Sequence, residues 1–189
     1  IRKRPISNAR VVEAFRITSE LGIMSSSFNM IGLPTETQDE VLETLRLNAS
    51  VLPDSIKIMT FYPFKNTPIY EMCEKLNMID YNRKDELDDY DTFSCLKFSP
   101  EHQLFLEKVQ AVFNWYINMF LDNQASSQYA NLIEMIERMD KTEWDEYDFM
   151  AVDKKMSLQF REAGTLHYTK YMNRSLGAKF PSKHFGYNN

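Results

Sequence analysis

The stretch FNMIGLPTET, residues 28–37, carries the residue types in this chain best suited to holding a ligand. An apolar run stops at Gly32, Pro34 follows, and Thr37 with Glu40 three residues on fits a capping box at a helix start. Glycine lets backbone approach a bound group closely. A helix start aims unpaired N–H groups and a partial positive charge at the same rim, where an anionic group could sit. FYPFKNTP, residues 61–68, repeats the arrangement: an apolar run ends at Pro63, and a helix opens with Thr67 as cap and Pro68 at its first position. Two such rims side by side would hold a flat apolar group with one polar edge. Both stretches also suit plain tight connections.

The other reactive side chains point to less. Cys73 and Cys95 make no disulfide framework and have no metal-ligand spacing. Cys73, beside Met72 on an expected helix, reads as a small core hydrophobe. His102, His167 and His184 lie far apart, none in a paired ligand spacing, and read as surface or partly buried residues. DYNRKDELDDYD, residues 80–91, reads as an acidic surface linker, with a metal site as the alternative.

These residues need elements to place them. Ser7 or Asn8 can cap a helix carrying Val11, Ala14, Phe15, Thr18 and Leu21, with Gly22 at its end. Residues 23–31 then alternate, with Met24, Phe28 and Met30 on one side and Ser25, Ser27 and Asn29 on the other, as a strand does. A helix with Leu42, Leu45, Ala49 and Leu52 as its buried stripe runs to Pro53, and SIKIMTFYP forms a second strand. Strand, helix, strand is a βαβ unit with parallel strands. Further on, helices are expected from Ser99–Pro100, from Ser126 or Ser127, and over about Asp153 to Glu162. The aromatic helix FNWYINMF is expected to pack the helical region together or onto the strands, a substrate lid being the other reading. The spacing therefore predicts an α/β region over 1–80, a linker over 81–98 and a mostly helical region over 99–189. Two parallel strands do not make a closed sheet, so they should pair with something or belong to a larger one.

Composition narrows the classes. The chain has 189 residues, 43% hydrophobic and 26% charged, an ordinary globular balance. A net charge of −5 argues against a nucleic-acid or anionic-membrane surface. No apolar run reaches the roughly 20 residues of a membrane span. IRKRPISN lacks a signal peptide's apolar core. With two cysteines only, a cytoplasmic location is expected.

The order of these pieces resembles the C-terminal half of the core domain of radical S-adenosylmethionine (SAM) enzymes, most closely the branch that often carries a cobalamin-binding domain upstream. The residues that carry the resemblance are Ile31, Gly32, Pro34, Glu36 and Thr37, then Thr44, Pro53 and Asp54, then Pro63, Thr67, Pro68 and Tyr70. It covers about residues 1–80 and implies the C-terminal part of a partial (β/α) TIM-like barrel. It implies a [4Fe–4S] cluster and SAM, with cobalamin as an option, in an enzyme that cleaves SAM to a 5′-deoxyadenosyl radical for hydrogen abstraction from a substrate it does not identify. It also implies that Met30, Ile31, Gly32, Phe61, Tyr62 and Pro63 flank the adenine. Ser25, Ser27, Asn29 and Lys57 would face substrate if helices cover Phe28, Ile56 and Ile58; Lys57 alternatively snorkels to water.

The chain departs from the family pattern in three places. Thr35 and Asn66 stand where the family usually has Gly; Asn tolerates a positive φ, whereas Thr35 is expected at negative φ. The Cys-x-x-x-Cys-x-x-Cys cluster motif is absent from the chain. It is therefore expected to be a C-terminal piece, inactive by itself, with a truncated sheet edge at its first strand hidden by self-association or by the C-terminal helices. The competing class is a helical protein-interaction module, working through residues 98–174, with a small α/β appendage.

Overall fold

The computed structural model describes residues 6–86, 94–165 and 167–169. Most of the acidic tract's C-terminal half and the tail with His184 lie outside them. The fold is mixed α/β, mostly helical, with a two-stranded parallel sheet.

Helix α1 (Asn8–Glu20) starts at Ser7, whose side chain accepts from the Arg10 N–H, and ends before Gly22, at φ 70°. Strand β1 (Ser26–Ile31) leads into helix α2 (Gln38–Val51), which the Thr37–Glu40 capping box opens and Leu52, in the left-handed region, closes before Pro53. Strand β2 (Ser55–Thr60) returns parallel to β1, with Ser26 opposite Ser55 and Ile31 opposite Thr60. Helix α3 (Pro68–Lys75) starts at Thr67 as expected.

The acidic tract is more than a linker. It begins with helix α4 (Tyr81–Glu86), and its flanks are pinned by an antiparallel bridge between Ile79 and Leu96. Ser94, Cys95 and Leu96 are buried, so residues 94–98 belong to the fold. Helix α5 (Pro100–Met119) follows Ser99, and helix α6 (Ser126–Glu137) packs on it. Helix α7 (Lys141–Glu146), opened by an Asp140–Glu143 capping box, has no sequence-based forecast. Helix α8 spans Phe149–Glu162, starting earlier than the expected Asp153 because Asp148 caps it through the Ala151 N–H.

One apolar core joins the α/β and helical regions. Ile31, Val41, Leu45, Ala49 and Ile56 share it with Val109, Val112, Phe113, Trp115, Tyr116, Ile133 and Phe160. A smaller cluster of Phe61, Tyr70, Cys73, Ile79 and Leu96 lies under α3. Burying each large side chain of this kind contributes roughly 1.5–3 kcal/mol. A polar latch also crosses the join. Asn118 accepts from the Tyr168 N–H (2.6 Å) and donates to its C=O (2.8 Å), while the Tyr168 hydroxyl accepts from the Ile56 N–H at 3.0 Å. Alternate residues of a strand in a two-stranded sheet turn their backbone groups outward, so Tyr168 fills one outer site on β2.

Candidate functional site

The two strand tips are neighbours. The Phe61 N–H donates to the Ile31 C=O at 2.8 Å, one step beyond the paired strand residues. Gly32 follows at φ 74°, and an added Cβ would lie 3.2 Å from Leu106 Cδ1 and 3.8 Å from Phe98 Cε2. The residues entering α5 therefore pack over this turn; the positive φ favours glycine, and a Cβ would press on Leu106.

Behind Gly32 the chain makes a tight turn. Pro34 takes its second position, and the Glu36 N–H donates back to the Leu33 C=O at 3.0 Å. Thr35 sits at φ 71°, which corrects the expectation of a negative φ. The cause is the turn type: Pro at the second position, a returning bond and a positive φ at the third define a type II turn, whose third position favours glycine. Asn66, at φ 66°, keeps its turn as expected of an asparagine.

The anion-binding character of this rim is real but internally occupied. One Glu36 carboxylate oxygen accepts from the Gly32 N–H (2.6 Å) and the Leu33 N–H (3.2 Å). Burial pushes the Glu36 carboxyl above its ordinary pKa, the two N–H bonds pull the other way, and the Glu40 charge adds to the rise. The spacing of Glu36 four residues after Gly32 is the signal that could have marked it.

On β1 the faces are the reverse of the arrangement the sequence suggested, while Ile56 and Ile58 of β2 do lie on the helix-covered face. Ser27, Asn29, Ile31, Ile56, Ile58 and Thr60 share the face that α2 and α5 cover. There Ser27 Oγ donates to Asn48 Oδ1 (2.6 Å) and Asn48 Nδ2 donates to Asn29 Oδ1 (2.8 Å), with Asn48 buried. Ser25, at the strand's start, bonds Asp54 through its N–H at 2.8 Å. The alternation is correct, but helices do not cover Phe28; it is 67% exposed. A buried asparagine on α2 supplies the partners that let the polar side turn inward. Ser25, Ser27 and Asn29 are thus engaged with α2 and the loop before β2. Lys57 lies across the sheet from them, exposed, with its ammonium 5.5 Å from the Phe28 ring centroid.

The open face presents Phe28, Met30, Lys57 and Met59. At its carboxyl end Tyr62 stands 5.1 Å from Phe64, and Lys84 of α4 donates to the Tyr62 hydroxyl at 3.0 Å. Lys84 arrives from a tract whose sequence shows no period, so nothing in the spacing could have placed it. Of the six expected adenine-flanking residues, Met30 and Tyr62 offer side chains. Ile31, Gly32, Phe61 and Pro63 are buried and can contribute only backbone. On the outer edge of β1, the N–H and C=O groups of Ser26, Phe28 and Met30 face away from β2 without a partner among the described residues.

Cys73 and Cys95 are both fully buried, and burial pushes both thiols up, away from the thiolate a metal needs. Among the described residues no group of three or more His, Cys, Asp or Glu could hold a metal ion, and no helix is long and apolar enough to cross a membrane. His102 is half-buried between Phe98 and Phe105, and His167 is fully buried. Comparison with known proteins finds no match to this chain among family models, curated proteins or solved structures.

Proposed function

We propose that residues 6–80 are the C-terminal βαβ part of a radical SAM-type partial (β/α) barrel, whose strand tips hold the adenosine of SAM. The supporting observation is the open side of the sheet: two parallel strands with adjacent tips, an outer face carrying Phe28, Met30 and Met59 beside Lys57, and an outer edge on β1 unpaired among the described residues. A parallel pair left bare on one face is an incomplete sheet. Unpaired strand edges and exposed apolar patches are surfaces that proteins ordinarily cover.

In this reading Met30 and Tyr62 give the adenine apolar contact, and backbone groups at the two strand tips pair with its polar edge. Glu36 holds the Gly32 and Leu33 N–H groups in place behind it. SAM, when bound and reduced, supplies the adenosyl radical; the chain's residues orient the nucleoside and shield it from water. The iron–sulfur cluster does not fit this chain. Its two buried thiols cannot supply three thiolates, so the cluster ligands belong to polypeptide outside these 189 residues.

The helical-module reading has less behind it. Among the described residues from 94 onward, the large exposed apolar side chains are Met135, Met150 and Leu158, against eight within residues 6–30. The test is to express the whole reading frame containing these residues and reconstitute it anaerobically with iron and sulfide. A Cys-x-x-x-Cys-x-x-Cys motif upstream and release of 5′-deoxyadenosine from SAM on reduction are expected. A reading frame without the motif, or a reconstituted protein that releases none, overturns the proposal.

A further inference from the structure

A cavity lies away from the strand tips. It measures about 560 Å³ and opens between the first turns of α2 and α5 and the α6–α7 junction. Leu42, Leu104, Phe105 and Met139 line it with apolar surface. Its size falls in the range of small-molecule sites.

Of the charged residues that line it, Lys108 alone is buried. Lys108 is only 3% exposed, and its ammonium donates to the Met139 C=O at 2.6 Å, just beyond the end of α6. That bond ties α5 to the segment between α6 and α7, a structural role that uses one of three N–H donors. Glu137, Asp140 and Glu143 attract the ammonium through space, but none is a hydrogen-bond partner. A buried ammonium with unused donors at an apolar cavity is costly unless an acceptor arrives. The rim cations are engaged elsewhere: Arg138 with Glu134, and Lys141 with Asp145 and Glu107. Glu101, Glu137 and Asp140 on the rim disfavour ligands of higher negative charge.

We propose that this cavity binds small amphipathic monocarboxylates, with the Lys108 ammonium anchoring the carboxylate and the apolar wall taking the hydrocarbon body. The site is separate from the strand tips and stands or falls apart from the radical SAM reading.

The test is calorimetric titration of the 189-residue chain with sodium decanoate below its micellar concentration. Saturable one-site binding is expected, with 1-decanol about tenfold weaker or worse, since it lacks the charged acceptor. Lys108→Met keeps an apolar stem of similar length. It is expected to weaken decanoate about tenfold or more and to leave decanol unchanged. Absence of saturable binding, equal affinity for decanol, or an unchanged decanoate affinity in Lys108→Met overturns the proposal. Thermal melting checks that the variant folds. Should it not fold, Leu104→Trp fills the cavity while leaving Lys108 in place; loss of decanoate binding supports the site, and retention overturns it.

Discussion

Helix α5 buries twelve of its twenty residues, and helix α1 buries none. That difference divides the molecule. Around α5 most side chains are buried, and two buried donors share one acceptor: Asn114 and Trp115 both donate to Asp153, at 2.6 and 2.7 Å. Around α1 and β1, large apolar side chains face water and outer strand groups lack partners among the described residues. Buried polar pairing and exposed apolar surface therefore reside in different parts of this chain. The helical region holds the α/β unit in shape, and the α/β unit carries the surface left to be covered.

The sharpest break of this contrast is Asp153→Ala. It leaves two buried donors without an acceptor, and a loss of about 3 kcal/mol or more is expected in urea unfolding. A loss below about 1 kcal/mol would mean the closed region tolerates defects as an exposed surface does.

Next in size is a pH effect at His167. Its ring is fully buried, with Nδ1–H donating to the Thr165 C=O at 3.0 Å. Burial first, and Arg161 second, lower its pKa to about 4, well below the ordinary histidine value. The folded state thus holds the neutral ring, while the unfolded chain takes up a proton below about pH 6.5. Stability contributed by the neutral ring is present above that pH and is lost as pH falls towards 4, by about 3 kcal/mol in all. Carboxylates titrate in the same range, so the readout is the difference between wild type and His167→Gln across pH 4–7. That difference should change by about this amount.

The α/β side responds more weakly and in the opposite sense at one position. Thr35→Gly relieves a β-branched residue at φ 71° and should stabilise by about 1 kcal/mol, read as a higher urea midpoint. Smallest of all is Phe28→Ser, which removes a side chain already in water. Unfolding stability should move by about 0.5 kcal/mol or less. A large loss there would show that the open face is covered in solution.

Much of the chain's order was legible from residue types alone. Capping residues Ser7, Thr37, Thr67 and Ser99 mark helix starts because each offers an oxygen to a backbone N–H. The parallel pair followed from strand, helix, strand. What could not be read was which strand face turns inward, because that depends on Asn48, a residue on another element. Nor could the conformation of Thr35: β-branching argued one way, and the turn set by Pro34 decided the other. The strand tips' neighbours, Lys84 and Leu106, come from distant segments that no local period reports.

The central claim is that the tips of β1 and β2 together hold an adenosyl group. Hydrogen-exchange mass spectrometry of the protein from the whole reading frame, with and without SAM, tests it directly. The account predicts slower exchange with SAM at residues 30–32 and 61–63 and along the outer edge of β1. Saturating SAM that leaves exchange at both tips unchanged, while protecting another part of the protein, would contradict it.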